Sequence, residues 1–245
     1  MWRGELCEGI FGDLSIFEMP LPDTQYAVGV DTSSGLRSSK DRGDPSAAEV
    51  IEMKSGRQVA EMHGFRDPTQ WGYASARLAG FYNMAPLAIE THPSQHGLTA
   101  FLAAERYAYP KLYVQTRLDR AGALVEKRGW VMHQQSKWAM MDRIRAALQE
   151  GIIIRSTRLL DELGAVHYEN QKFVSDEHDD CIVAYGIALM LRDQAYRKGE
   201  IRMAKSEPMD LDAAYWKRQS SPVQDRDRFA AIAAEREFDD VWDGV

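Results

Sequence analysis

Asp176, Glu177, His178, Asp179 and Asp180 stand together in the stretch SDEHDDCIVAYGIALML. From 182 to 191 the chain then carries no charge, and a helix of that composition is buried almost all round. Carboxylates at the mouth of a buried helix are costly unless something compensates them. Two compensations are available. One is the helix itself, whose first-turn N–H groups and dipole accept an acidic cap at Asp179 or Asp180. The other is a divalent cation shared with acids from elsewhere in the chain.

Two other acids have a suitable setting. Asp31 ends the apolar run YAVGV, where an Asx turn cap is the ordinary reading. Glu90 ends the apolar run PLAI, and Glu is a poor turn residue. Four carboxylates offer hard oxygen ligands, which suit Mg²⁺ or Mn²⁺. His92 and His96 follow in THPSQHG, a loop pattern without the helical i, i+4 pair of a zinc site. His96 is therefore at most a supporting group. Asp44, in GDPSAAEVI, reads as a turn cap or as a support for the acids. Lys137, in QSKWAMM, reads as a surface residue or as a phosphate contact.

The acids can meet only if the elements bring them together. YAVGVD is a strand ending at Asp31; AAEVIEM and RQVAEMHGF are two more, joined by the hairpin signal KSGR. DPTQWGYASARLAGF is a helix with Asp67 as cap and Pro68 in its first turn. APLAIE is a strand, GLTAFLAAERYA a helix and KLYVQT a further strand. SKWAMMDRIRAALQEG is a helix stopped by Gly151. IIIRS is extended, STRLLDELGAVHY helical, and the long apolar helix follows Asp180. This is an α/β pattern, and sites in such folds form where strand ends meet helix starts. The expected division is a leader over 1–24, one domain over 25–198 and a charged tail over 199–245.

The net charge of −7 argues against an extended nucleic-acid surface, yet residues 111–158 hold ten Lys and Arg against four acids. Arg117, Arg120, Lys127, Arg128, Lys137 and Arg143 are the candidates there for gripping phosphate. Cys7 and Cys181 are too far apart for a metal spacing, and Cys181 reads as a small core residue. No apolar run is long enough to span a membrane, and a reducing cytoplasm is the default compartment.

Taken together, GVDTSSG, GDPSAAEVIEM, LAIETHPSQHG, GWVMHQQSKWAMMDRIRAALQEG and EHDDCIVAYGIALML resemble the nuclease domain of tailed-phage large terminases, a branch of the ribonuclease H-like superfamily. The resemblance runs from about 26 to 192. It implies a ribonuclease H-like mixed central sheet flanked by helices. It also implies a two-metal site on Asp31, Glu90, Asp179 and Asp180, which hydrolyses phosphodiesters of double-stranded concatemeric viral DNA during packaging in the infected cell. The partners implied are double-stranded DNA, the ATPase motor, the small terminase and the portal, and the leader resembles the connector from that motor. Two features depart from the pattern. Val183 stands where many relatives carry a further acid, and no GxxxxGK[ST] phosphate loop occurs in this sequence. The alternatives are a junction resolvase or transposase-like nuclease of the same fold, and a non-catalytic packaging module.

Overall fold

Alternation along the strands sorts side chains onto two unlike faces of a central sheet. The computed structural model describes residues 13–35, 44–92, 95–118, 122–169, 172–175 and 178–198. The expected tail, residues 1–12 of the expected leader, and Arg120 lie outside the described residues. In chain order the elements are β1 (Leu14–Ile16), β2 (Tyr26–Asp31), β3 (Ser46–Glu52), β4 (Gln58–Gly64), α1 (Pro68–Phe81), β5 (Leu87–His92), α2 (Gln95–Arg106), β6 (Val114–Leu118), β7 (Leu124–Arg128), β8 (Trp130–Val131), α3 (Gln134–Gln149), α4 (Thr157–Ala165), β9 (Val166–Glu169), β10 (Lys172–Ser175) and α5 (Asp180–Lys198).

The sheet runs β1-β4-β3-β2-β5-β8. Its first four strands are antiparallel, while β2, β5 and β8 are parallel. One face carries Val28, Val30, Val50, Val59, Leu87 and Ile89, which pack with Trp71 and Leu78 of α1 and Phe101 of α2. The opposite face carries Ala27, Ala47, Ile51 and Ala88, covered by α3, α4 and α5. Small residues on that second face let α5 lie close to the sheet. At Gly29 an added Cβ would fall 2.1 Å from the Ala184 carbonyl oxygen of α5, so backbone meets backbone there. Residues 181–189 of α5 are all buried. Full burial of Ile182, Ile187 and Leu189 is worth about 1.5–3 kcal/mol each. No described helix is both long and apolar enough to cross a membrane.

Several local expectations hold in the structure. Asp67 accepts from Thr69 N and Gln70 N at the start of α1, and Gly151 adopts φ +78° after α3. Others are corrected. Part of the leader is an edge strand, since β1 pairs with β4. KLYVQT is divided: Leu112 bridges in parallel to Leu87 of β5, while from Val114 on it pairs as β6 with β7 in a separate hairpin, which the sequence reading lacked. The helix expected over 156–168 stops at Ala165, because the β-prone run Val166, His167, Tyr168 pairs as β9 with β10. IIIRS is irregular, yet the backbone N–H groups of Arg155 and Ser156 both donate to the Gln58 side-chain oxygen Oε1 at 2.8 Å.

Candidate active site

Asp31 ends β2, and Glu90 lies two residues before the end of β5, its parallel neighbour. Val30 pairs with Ile89, so the next residue on each strand brings the two acids side by side. Both follow the Ala- and Gly-rich alternation and therefore face α5. Behind Glu90 the start of α2 presses on the backbone. A Cβ at Gly97 would fall 1.6 Å from the Glu90 carbonyl oxygen, so only glycine fits. His96, one residue earlier, is exposed.

The contact at Gly29 also sets the start of α5. Ala184 lies about one helical turn after Asp180, and Gly29 lies two residues before Asp31, so Asp180 arrives beside Asp31. The helix does not need its aspartates as caps. Glu162 of α4 accepts from Ile182 N at 3.1 Å and so satisfies a first-turn donor. Asp179 contributes its backbone oxygen to Val183 N at 2.9 Å, while its side chain accepts from Lys137 Nζ at 2.8 Å. Asp180 is 7% exposed, and among the described residues no group donates to its Oδ2. His178 Nδ1 lies 3.7 Å from that oxygen, outside hydrogen-bond reach. The same Nδ1 lies 2.9 Å from Asp44 Oδ1. Ser33 Oγ donates to the Asp44 carbonyl, which ties that loop to the end of β2. Asp44, His178 and Asp180 offer ligand atoms within 4.8 Å of one another.

Crowding shows in proton affinity. Burial, then the neighbouring Glu90 and Asp179 carboxylates, hold Asp31 well above the usual range. Burial raises Glu90 to about 7, against the opposing charge of Lys137. Burial and then Asp31 raise Asp180 to about 9. An orphaned, buried carboxylate oxygen within this cluster of acids fits a divalent cation.

The sequence placed Asp31, Glu90, Asp179, Asp180, Lys137 and Asp44 as candidates, and the structure brings these six together. It does not bring the basic segment together as one face. Arg143 bonds Asp193 Oδ2 at 2.6 Å and lies near Glu150, toward the other end of α5. Arg155 and Arg158 pair with Glu18 and Glu61. Lys127 and Arg128 remain exposed on β7, and the backbone of Arg117 lies on β6. Their hairpin is anchored at the site, because Thr91 Oγ1, next to Glu90, donates to the Arg128 carbonyl at 2.6 Å. Sequence reading missed Glu162 and gave His178 no role. Glu162 carries no local signal, since its partner is another helix; His178 was flagged by its acidic neighbours.

A strand order with three parallel strands beside an antiparallel extension, and carboxylates meeting at strand ends and one helix start, defines a ribonuclease H-like α/β fold. Among solved structures, the chain is similar to the large terminase nuclease from thermophilic phage G20c, at TM-score 0.55 and 14% identity, over 74% of this chain and 90% of that one. The same nuclease with bound magnesium gives 0.55 and 14%, over 74% and 89%. The large terminase nuclease domain of Thermus phage P74-26 gives 0.52 and 18%, over 72% and 84%. The fold is that of large terminase nuclease domains. No family model and no curated protein sequence matches the chain.

Proposed function

We propose that this protein is a Mg²⁺- or Mn²⁺-dependent endonuclease that cuts double-stranded concatemeric viral DNA during genome packaging, acting with a packaging motor, small terminase and portal in the infected cell. The observation that carries this reading is the donor-less Oδ2 of Asp180, buried among Asp31, Glu90 and Asp179. Asp31, Glu90, Asp180 and Asp179 would hold the cations. A pair of divalent cations supplies an activated water and a stabilised leaving oxygen for phosphodiester hydrolysis. The chain's own groups do the rest. Lys137 orients Asp179 and places positive charge where the phosphate arrives. Asp44 orients the His178 ring at the edge of the site through Nδ1. Lys127 and Arg128 hold the backbone of the duplex from the hairpin beside Glu90. The similar G20c nuclease is solved with bound magnesium, cobalt and zinc, which supports a divalent cation.

The test is supercoiled plasmid cleavage with Mg²⁺, Mn²⁺ or EDTA side by side, with a four-way junction as a second substrate. Cutting of plasmid and linear duplex only with cation is expected. Cutting in EDTA rejects the metal site; cutting confined to the junction favours a resolvase; no cutting with either cation favours a non-catalytic packaging module.

A further inference from the structure

Behind the carboxylates of the candidate active site lies a second group of buried polar side chains that the proposed cleavage does not use. Alternation on β3 and β4 turns Glu49 and Glu61 toward α5, where they pair across the strands in an otherwise apolar layer. Glu49 is fully buried and Glu61 nearly so. Glu162 and Cys181 face them from α4 and α5, and His63 stands two residues beyond Glu61 on the same side of β4. The ligand atoms of His63, Glu162 and Cys181 lie within 4.8 Å of one another, and so do those of Glu49, Glu61 and Cys181. The Cys181 sulfur is common to both sets.

Donors already fix these carboxylates from behind. Gln58 Nε2 donates to Glu49 Oε2 at 2.7 Å, Ile182 N donates to Glu162 Oε2 at 3.1 Å, and Ser156 Oγ and Arg158 bond Glu61. Such outer contacts orient metal-ligating side chains. Glu49 Oε1 has no donor among the described residues. Three buried glutamates and the Cys181 sulfur face one guanidinium, Arg158, so a divalent cation would offset most of the remaining negative charge.

We infer that Cys181, His63 and Glu162, with the unpartnered Glu49 carboxylate beside the shared sulfur, form a second cation site of the thiolate–imidazole–carboxylate class that takes Zn²⁺. This donor set differs in kind from the all-oxygen site, because sulfur and nitrogen select softer ions. A cation there ties β3 and β4 to α4 and to the first turn of α5, one residue from Asp180. Its role is to position that turn, not to touch DNA.

Cobalt separates the two sites, since only a thiolate ligand gives a sulfur-to-cobalt charge-transfer band in the near ultraviolet. Titrating the full chain with Co²⁺ under reducing conditions is expected to raise that band, saturating at one equivalent and displaced by Zn²⁺. Cys181→Ser is expected to remove it. Cys7→Ser, and the double variant Asp31→Asn with Glu90→Gln, are expected to keep it, so loss of nuclease activity and loss of this site read out separately. His63→Ala, at a half-buried position, is expected to weaken Co²⁺ binding at least about tenfold. No band in the parent, a band that survives Cys181→Ser, or unchanged affinity in His63→Ala overturns the inference.

Discussion

Asp179 and Asp180 are neighbours in sequence and unlike in environment. Helical periodicity, with Gly186 seven residues after Asp179, favours Asp179 as the main ligand and predicts close approach of another backbone at Gly186. In the structure Gly186 instead receives the Met140 side chain of α3. Asp179 is engaged with Lys137, while Asp180 is deeper and lacks a donor. The geometry therefore favours the reverse order. Asp180→Asn is expected to cost more plasmid cleavage than Asp179→Asn, measured as initial rates at saturating Mn²⁺; equal losses would reject the ranking. Asp31→Asn and Glu90→Gln should each reduce cleavage by at least about 100-fold, the scale of removing one group from an electrostatically organised site. Circular dichroism should show both variants folded, because each removes one charge from a repelling cluster.

Gly29 and Gly97 carry the precision of the elements around the site. A Cβ at Gly29 meets the α5 backbone, which cannot rotate away as a side chain would. Gly29→Ala is expected to lower stability by about 1–3 kcal/mol in urea denaturation and to lower cleavage with it, by displacing Asp180. Unchanged stability would mean that α5 does not seat there. Much of this arrangement is legible in the sequence. Asp31, Glu90 and Asp180 each border an apolar run, so strand ends and a helix start could be located from pattern alone. The β6–β7 hairpin was not legible, because residues such as Leu124, Glu126 and Lys127 are exposed on both sides and show no alternation of burial. Glu49 and Glu61 did leave a signal, acids in phase with Ala47 and Ile51 on inward-facing strand positions. Their meaning depends on partners from α4 and α5 that are more than a hundred residues distant in sequence.

At the scale of the whole molecule, the buried acids link stability to pH. The values of Glu90, about 7, and Asp180, about 9, lie above those of an unfolded carboxyl. A folded state that holds protons more tightly than the unfolded one is favoured at low pH and loses that advantage as pH rises through the folded values. The melting temperature of the metal-free protein is expected to fall between pH of about 5 and about 9. Mg²⁺ or Mn²⁺ should restore more of it at the alkaline end; a cation effect independent of pH would contradict the linkage. DNA binding belongs to the same scale. With a net charge of −7 and its grip confined to one hairpin, the protein should bind duplex weakly and without base preference. Lys127→Ala with Arg128→Ala should flatten the slope of log affinity against log salt by up to about 2, and an unchanged slope would place the grip elsewhere. The seating of α5 has one more consequence. Arg192 Nε holds the Met53 carbonyl at 2.6 Å part way along that helix, and Gly29 stops its backbone nearer the start, between Ala184 and Ala188. The helix is thus a strut pinned at two points, and the pin at Arg192 stands about 18 Å along the axis from Asp180, which it helps to gauge.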